Sequence, residues 1–267
     1  MGNKDHELTK KYIKDIKSAD VWSVFKIIAD FVKGFDELGD LGPTVTIFGS
    51  VRTDSEDKYY MQAKILSEKL AKKGFNIMSG GGPGIMEAAN RGAKSVEGIE
   101  SIGLNIDLPM EQTINKFTTK ELTFDYFFSR KVMLVKYSMA YVIFPGGFGT
   151  LDELFESLTL VQTRKVTGVK IFVVGVDFYQ PLIDFIREKL VNNGMVDEND
   201  LELVHLTDDL DSIVNQVETS LVKQIEVLED VGLSDTAYYK SLSDFSYDKE
   251  IIKERRCHNR RDKEGKK

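Results

Sequence analysis

Seven short apolar runs alternate with longer amphipathic stretches between residues 44 and 221, and this alternation constrains the fold more than any other feature. The runs are Thr44–Phe48, Phe75–Met78, Ser101–Ile106, Leu122–Phe124, Ala140–Phe144, Val169–Val174 and Leu203–Leu206. Between and after them, Asp57–Lys73, 85–93, Ser129–Ser138, Gly149–Thr163, Phe178–Val191 and Leu210–Leu221 carry helical periodicity. Continuous rather than alternating apolar strands belong to a parallel sheet buried on both faces. The expected fold is therefore α/β, a Rossmann-like doubly wound parallel sheet with helices on both faces. Ahead of it, residues 7–17 and 20–38 read as an N-terminal helical hairpin. Its second arm has an apolar stripe of Val21, Trp22, Val24, Phe25, Ile28, Phe31, Val32 and Phe35, set against the main domain or a partner subunit. Three segments follow: a helical extension over 1–40, a nucleotide-binding catalytic domain over 41–222, and a C-terminal helix with a basic tail over 223–267.

Charge and composition narrow the function. The net charge is −7, yet the stretch Lys249–Lys267 holds nine Lys/Arg against four Asp/Glu, so the body is more acidic than the total suggests. An acidic body argues against a broad nucleic-acid surface. No apolar run approaches the ~20 residues of a membrane-spanning helix. The N-terminal residues Met1–Glu7 carry no apolar core of a signal peptide. One cysteine, Cys257, excludes an intrachain disulfide and fits a reducing cytoplasm. Three scattered histidines predict no metal site.

Three strand ends finish in glycine or small polar residues: 49–50, 79–84 and 145–150. In open parallel sheets, ligands bind beyond such carboxyl ends. The richest is Pro145-Gly146-Gly147-Phe148-Gly149-Thr150-Leu151-Asp152-Glu153, a strand–glycine turn–helix junction. Backbone N–H groups at a helix N-terminus can hold a phosphate, and glycines let an anion approach the chain. Thr150 adds a hydroxyl and Glu153 a carboxylate. Thr150 and Glu153 also fit the spacing of a capping box, a purely structural use of both side chains. The second cluster, Gly80-Gly81-Gly82-Pro83-Gly84, serves either as a further cradle or as a plain strand-to-helix turn. Neither loop matches the dinucleotide fingerprint or the Walker A motif, so no NAD or ATP cofactor is expected. Arg130-Lys131 offers cations for a phosphate or for Glu153, or is a solvated pair.

Taken together, the stretch Gly80–Ala93, the Arg130-Lys131 pair and the P-G-G-x-G-T-x-x-E run over 145–153 resemble the Lonely Guy (LOG) family. Its members are cytokinin riboside 5′-monophosphate phosphoribohydrolases, formerly labelled lysine decarboxylases. The resemblance spans about residues 20–221. Phe127 stands where short plant-type members carry Met ahead of Arg-Lys, and the N-terminal extension is that of a longer bacterial-type member. The resemblance implies that Gly147, Gly149 and Thr150 bind a 5′-phosphate and that Arg130 and Glu153 are the residues most needed for turnover. Gly146, Gly81, Gly82, Ser50 and Lys131 complete the expected nucleotide contacts. It further implies a homo-oligomer, a dimer or larger. The expected reaction is hydrolysis of the N-glycosidic bond of a nucleoside 5′-monophosphate to free base and ribose 5-phosphate, with no metal or organic cofactor. The alternatives are a broader purine or pyrimidine nucleotide nucleosidase and a non-catalytic nucleotide carrier.

Overall fold

The computed structural model describes residues 21–108 and 114–243. The first arm of the expected hairpin, the basic tail and Cys257 lie outside the described residues. The elements in chain order are α1 Val21–Leu38, β1 Thr44–Phe48, α2 Lys58–Lys72, β2 Asn76–Ser79, α3 Ile85–Lys94, β3 Ser101–Ile106, β4 Lys120–Phe124, α4 Phe127–Lys136, β5 Ala140–Ile143, α5 Phe148–Gln162, β6 Lys170–Val173 and α6 Val176–Phe185. A π-helical turn (Ile186–Val191) continues α6, a 3₁₀ turn (Glu198–Leu203) leads into β7 Val204–Leu206, and α7 Leu210–Asp230 and α8 Ala237–Ser243 close the described chain.

The seven strands form one parallel sheet in the order β4-β3-β2-β1-β5-β6-β7. The chain winds outward from β1 to β4, returns to the centre at β5, and winds the other way. The topological switch therefore falls between β1 and β5, whose registers pair Val45 with Ala140 and Phe48 with Ile143. This doubly wound α/β architecture is the one the apolar runs predict.

Both faces of the sheet are buried because successive strand residues point to opposite sides. Val45, Ile47, Ile77, Ala140 and Val142 pack against α2, α3 and α7. Phe48, Met78, Leu104, Tyr141 and Ile143 pack with Met133 and Leu134 of α4, Leu154 of α5 and Tyr179 of α6. Each fully buried Leu or Ile contributes about 1.5–3 kcal/mol.

Two expectations change. Helix α7 runs unbroken through the boundary drawn at residue 222, and both Val222 and Ile225 sit in the first core cluster. The helix is therefore part of the main unit as far as Asp230. Of the two places expected for the α1 stripe, only the main domain is contradicted: Trp22 is 74% exposed, and Val21, Val24, Phe25, Ile28, Val32 and Phe35 are exposed as well. Its buried residues are Asp30, Gly34 and Leu38. Gly34 permits close approach to α4, since a Cβ there would lie 2.7 Å from Met133 Cε. Close backbone packing and a polar contact at Asp30 decide which face of α1 meets the domain, ahead of hydrophobic periodicity.

Candidate active site

The cleft lies at the β1/β5 switch, where open parallel sheets leave a crevice. It encloses about 650 Å³ and is lined by the loop after β1 (Gly49 to Arg52), Gly80 after β2, Ile106 and Leu108 after β3, Phe127 and Arg130 of α4, and residues 147–153. Backbone hydrogen bonds lock the loops together. Ser50 N–H donates to the Pro145 carbonyl at 3.0 Å, and Ile85 N–H donates to the Ser50 carbonyl at 3.0 Å. Ser50 Oγ accepts from Arg52 N–H at 3.0 Å. Ser50 thus lines the cleft and joins all three strand-end loops.

Helix α5 begins at the cleft. Its N-cap is Gly147, in an extended conformation (φ −91°, ψ −155°), with no side-chain cap. Leu151 N–H donates to the Gly147 carbonyl at 3.0 Å, so the N–H groups of Phe148, Gly149 and Thr150 precede the helical ladder. None of Gly146, Gly147 and Gly149 has positive φ. The junction therefore needs no left-handed residue. The three glycines differ in the space around them. A Cβ on Gly147 or Gly149 would meet nothing within 4 Å, whereas one on Gly146 would lie 2.1 Å from Thr150 Oγ1. Gly147 and Gly149 keep the helix end open, and Gly146 is a packing glycine outside the cleft lining.

The capping-box reading of Thr150 and Glu153 does not survive this register. With the cap at Gly147, Thr150 is the third helical residue and Glu153 the sixth, too far along to reach back to the cap. Glu153 is instead buried, at 6% exposure. Its Oε1 lies 3.6 Å from Arg130 Nη2, an ion pair longer than a hydrogen bond. Its Oε2 is buried without a hydrogen-bond partner, as is Arg130 Nε. Burial pushes the Glu153 carboxyl up to about 7; Arg130 and Lys131 oppose the rise, and Glu156 and Asp152 add to it. Burial also draws the Arg130 pKa down from its ordinary value, against the pull of Glu153 and Asp152. The guanidinium lies 5.5 Å from the Phe127 ring. A buried carboxyl near neutrality, an incompletely paired guanidinium and an open helix N-terminus thus share one cleft.

The remaining expected residues fall elsewhere. Lys131 does not line the cleft; it bridges α4 to α5 through Asp152 at 2.8 Å and Glu156 at 2.5 Å. Burial works against its charge, but the two carboxylates outweigh burial and raise its pKa. Gly81 and Gly82 lie outside the cleft lining, which includes only Gly80 of that loop. Gly81 has φ +73°, and a Cβ there would lie 2.4 Å from Asn105 Oδ1. The carbonyls of Gly81 and Gly82 each accept from Asn115 Nδ2 at 3.0 Å. Asn115 Nδ2 is also 2.9 Å from Asn90 Oδ1, which accepts from Ser79 Oγ. This loop is a turn fixed by a buried amide network. Sequence reasoning missed Arg52, a cation on the cleft lining; its position two residues beyond the glycine–serine end of β1 was the available signal. It also missed the apolar wall of Ile106, Leu108 and Phe127. Among the described residues, no group of three or more His, Cys, Asp or Glu side chains is arranged to hold a metal ion. No described helix is long and apolar enough to cross a membrane.

Comparison with known proteins defines the class. A family profile described as "Possible lysine decarboxylase" matches residues 86–217. The chain is 30% identical over 158 residues to the probable cytokinin riboside 5′-monophosphate phosphoribohydrolase LOGL5 of Oryza sativa subsp. japonica, covering 57% of this chain and 62% of the rice protein. It is 28% identical over 166 residues to cytokinin riboside 5′-monophosphate phosphoribohydrolase LOG3 of Arabidopsis thaliana, covering 60% of this chain and 74% of that one. Among solved structures, the molybdenum cofactor carrier protein of Chlamydomonas reinhardtii aligns with a TM-score of 0.49 at 20% identity, covering 67% of this chain and 98% of that one. The chain belongs to the LOG family.

Proposed function

We propose that this protein is a phosphoribohydrolase that cleaves the N-glycosidic bond of nucleoside 5′-monophosphates, a cytokinin riboside 5′-monophosphate or AMP, to free base and ribose 5-phosphate. The observation that carries the reading is Glu153: buried, raised to about 7, with one oxygen unpartnered, on the helix whose open N-terminus meets the same cleft. The rice and Arabidopsis relatives, both named as cytokinin riboside 5′-monophosphate phosphoribohydrolases, support the same chemistry.

In this reading the 5′-phosphate sits at the N-terminus of α5, on the N–H groups of Phe148, Gly149 and Thr150. Binding energy from the phosphate positions the ribose while making no contact with the bond that breaks. Cleavage passes through a sugar with oxocarbenium character. The ionised form of Glu153 stabilises that charge and takes a proton from the attacking water, whose oxygen bonds the anomeric carbon. The base leaves with the bonding pair and takes up a proton from solvent, and Glu153 then returns its own to solvent. Arg130 neutralises phosphate or ribose oxygens and keeps part of the Glu153 population ionised. The apolar wall of Ile106, Leu108 and Phe127 is the surface available to the base. The contacts proposed for Gly146, Gly81, Gly82 and Lys131 reduce to support of the lining residues.

The cleft does not fit pyridoxal phosphate, the cofactor that the decarboxylase label suggests. No lysine is among the described lining residues. Lys131 is held charged by two carboxylates, the wrong state for an amine that must attack an aldehyde.

The test is chromatography of protein incubated with AMP, isopentenyladenosine monophosphate, the other nucleoside monophosphates and adenosine. Base plus ribose 5-phosphate from monophosphates alone supports the reading and ranks the bases. Intact nucleotides, with binding detectable, would replace it with a carrier function.

A further inference from the structure

The one carboxylate that α1 buries against the domain, Asp30, is 4% exposed, and it faces backbone donors instead of a close cation. Its Oδ2 accepts from Asp125 N–H at 3.0 Å, Tyr126 N–H at 3.1 Å and Ser129 Oγ at 2.7 Å. Lys33 Nζ is 4.0 Å from Oδ1. Tyr126 is the N-cap of α4 and makes no side-chain cap of its own. Asp30 therefore caps α4 from a different helix, satisfying donors that the local sequence leaves open and placing negative charge at the positive helix end. Arg130 N–H donates to the Tyr126 carbonyl at 3.3 Å, so the residue fixed by Asp30 is the one on which the backbone of Arg130 rests. Two further ties hold α1 in place: Lys33 Nζ donates to the Thr123 carbonyl, and Gly34 seats against Met133.

We infer that Asp30 is a positioning residue: by fixing the first turn of α4 from outside, it holds the Arg130 guanidinium beside Glu153. The inference rests on the reading of Arg130 and Glu153 as the working pair. It assigns a function to an N-terminal helix that lies outside the residues matched by the family profile. A buried carboxylate is costly unless hydrogen-bonded, and here its acceptors are spent on the turn that carries Arg130. Loss of the cap lets that turn relax, and the guanidinium withdraws from Glu153.

The experiment reads the Glu153 carboxyl directly by carbon-13 NMR titration, without substrate. The charged groups around that carboxyl are Arg130 and Lys131 of α4 and Asp152 and Glu156 of α5, with Arg52 on the facing loop. Arg130 lowers the Glu153 midpoint, so its withdrawal raises it. Asp30→Ala is expected to raise the midpoint by roughly one pH unit, the low end for loss of an opposite charge nearby. Arg130→Met should raise it likewise, and Asp30→Ala should add nothing in the Arg130→Met background. Asp30→Asn keeps one acceptor oxygen and should shift the midpoint less. Leu38→Ala, which also loosens α1 but leaves the α4 cap intact, should not shift it. AMP turnover should fall about 10- to 100-fold in Asp30→Ala, in line with misplacement of a catalytic group.

An unchanged midpoint in Asp30→Ala overturns the inference; if that variant does not fold, an unchanged midpoint in Asp30→Asn does so. An equal shift in Leu38→Ala, or a further shift on top of Arg130→Met, overturns it as well. A shifted midpoint in a protein that hydrolyses no nucleotide would leave the positioning role standing and overturn the functional reading instead.

Discussion

Replacing Glu153 with glutamine should change how stability depends on pH, by an amount set by the burial of this one carboxyl. In the folded protein the group titrates at about 7 in place of its usual 4.5. Between those values the native state holds a proton that the unfolded chain has released, so stability falls as pH rises through this window. Each pH unit costs about 1.4 kcal/mol, and the full displacement is about 3 kcal/mol. Because Glu153 is nearly inaccessible, solvent screening takes little from this figure. The amide of the Glu153→Gln variant does not titrate, and its effect on Arg130 is constant over the range because the guanidinium stays charged. The stability of wild type minus Glu153→Gln should therefore be largest near pH 4, drop by about 3 kcal/mol by pH 8, and be flat above. Urea unfolding followed by far-ultraviolet circular dichroism gives this difference from midpoints at a common slope. The lone Trp22, largely exposed on α1, is a poor probe. A difference that stays flat from pH 4 to 8 would refute the reasoning. A difference that grows with pH would show that the ion pair with Arg130 outweighs burial.

Gly149→Val should leave the midpoint of thermal unfolding nearly unchanged, since a Cβ there meets open space, yet weaken AMP far more than adenosine; calorimetric titration of both ligands checks this. Gly146→Ala should instead destabilise the fold by about 1–3 kcal/mol through its clash with Thr150, measured by urea unfolding. Lys131→Met should move the pH–rate profile for AMP to higher pH, because Lys131 helps to hold the Glu153 carboxyl down; an unmoved profile would count against that coupling.

The strands were the most legible part of the chain. Ser101–Ile106 has its observed limits because the apolar run is closed at both ends, whereas the switch between β1 and β5 is known only from the strand order. The stripe of α1 illustrates the opposite case. Periodicity identifies an apolar face, but Gly34 and Asp30 decide which face meets α4, and both depend on atoms about a hundred residues away. Glu153 was visible as a carboxylate beside a glycine turn, but its use hung on helix register. Capping requires Thr150 to be the N-cap; the cap at Gly147 moves Glu153 into the second turn and toward Arg130. Gly81 and Gly82 read equally as a cradle or as a turn, and the amide network of Asn90 and Asn115 favours the turn. Arg52 belongs to no motif, and its place two residues beyond the glycine–serine end of β1 is its only sequence signal. The sheet order alone brings it to the cleft.

The central claim is that the buried carboxyl of Glu153 performs chemistry on a nucleotide held at the N-terminus of α5. Its most direct test is kcat/KM for AMP from pH 5 to 9 in wild type, alongside the dissociation constant and turnover of Glu153→Gln. The account predicts a wild-type rate rising through an ionisation near 7, with loss of about 10²–10⁴-fold in turnover in the variant and AMP affinity within a few fold of wild type. Full turnover in Glu153→Gln, or a wild-type profile with no ionisation between pH 6 and 8, would contradict it.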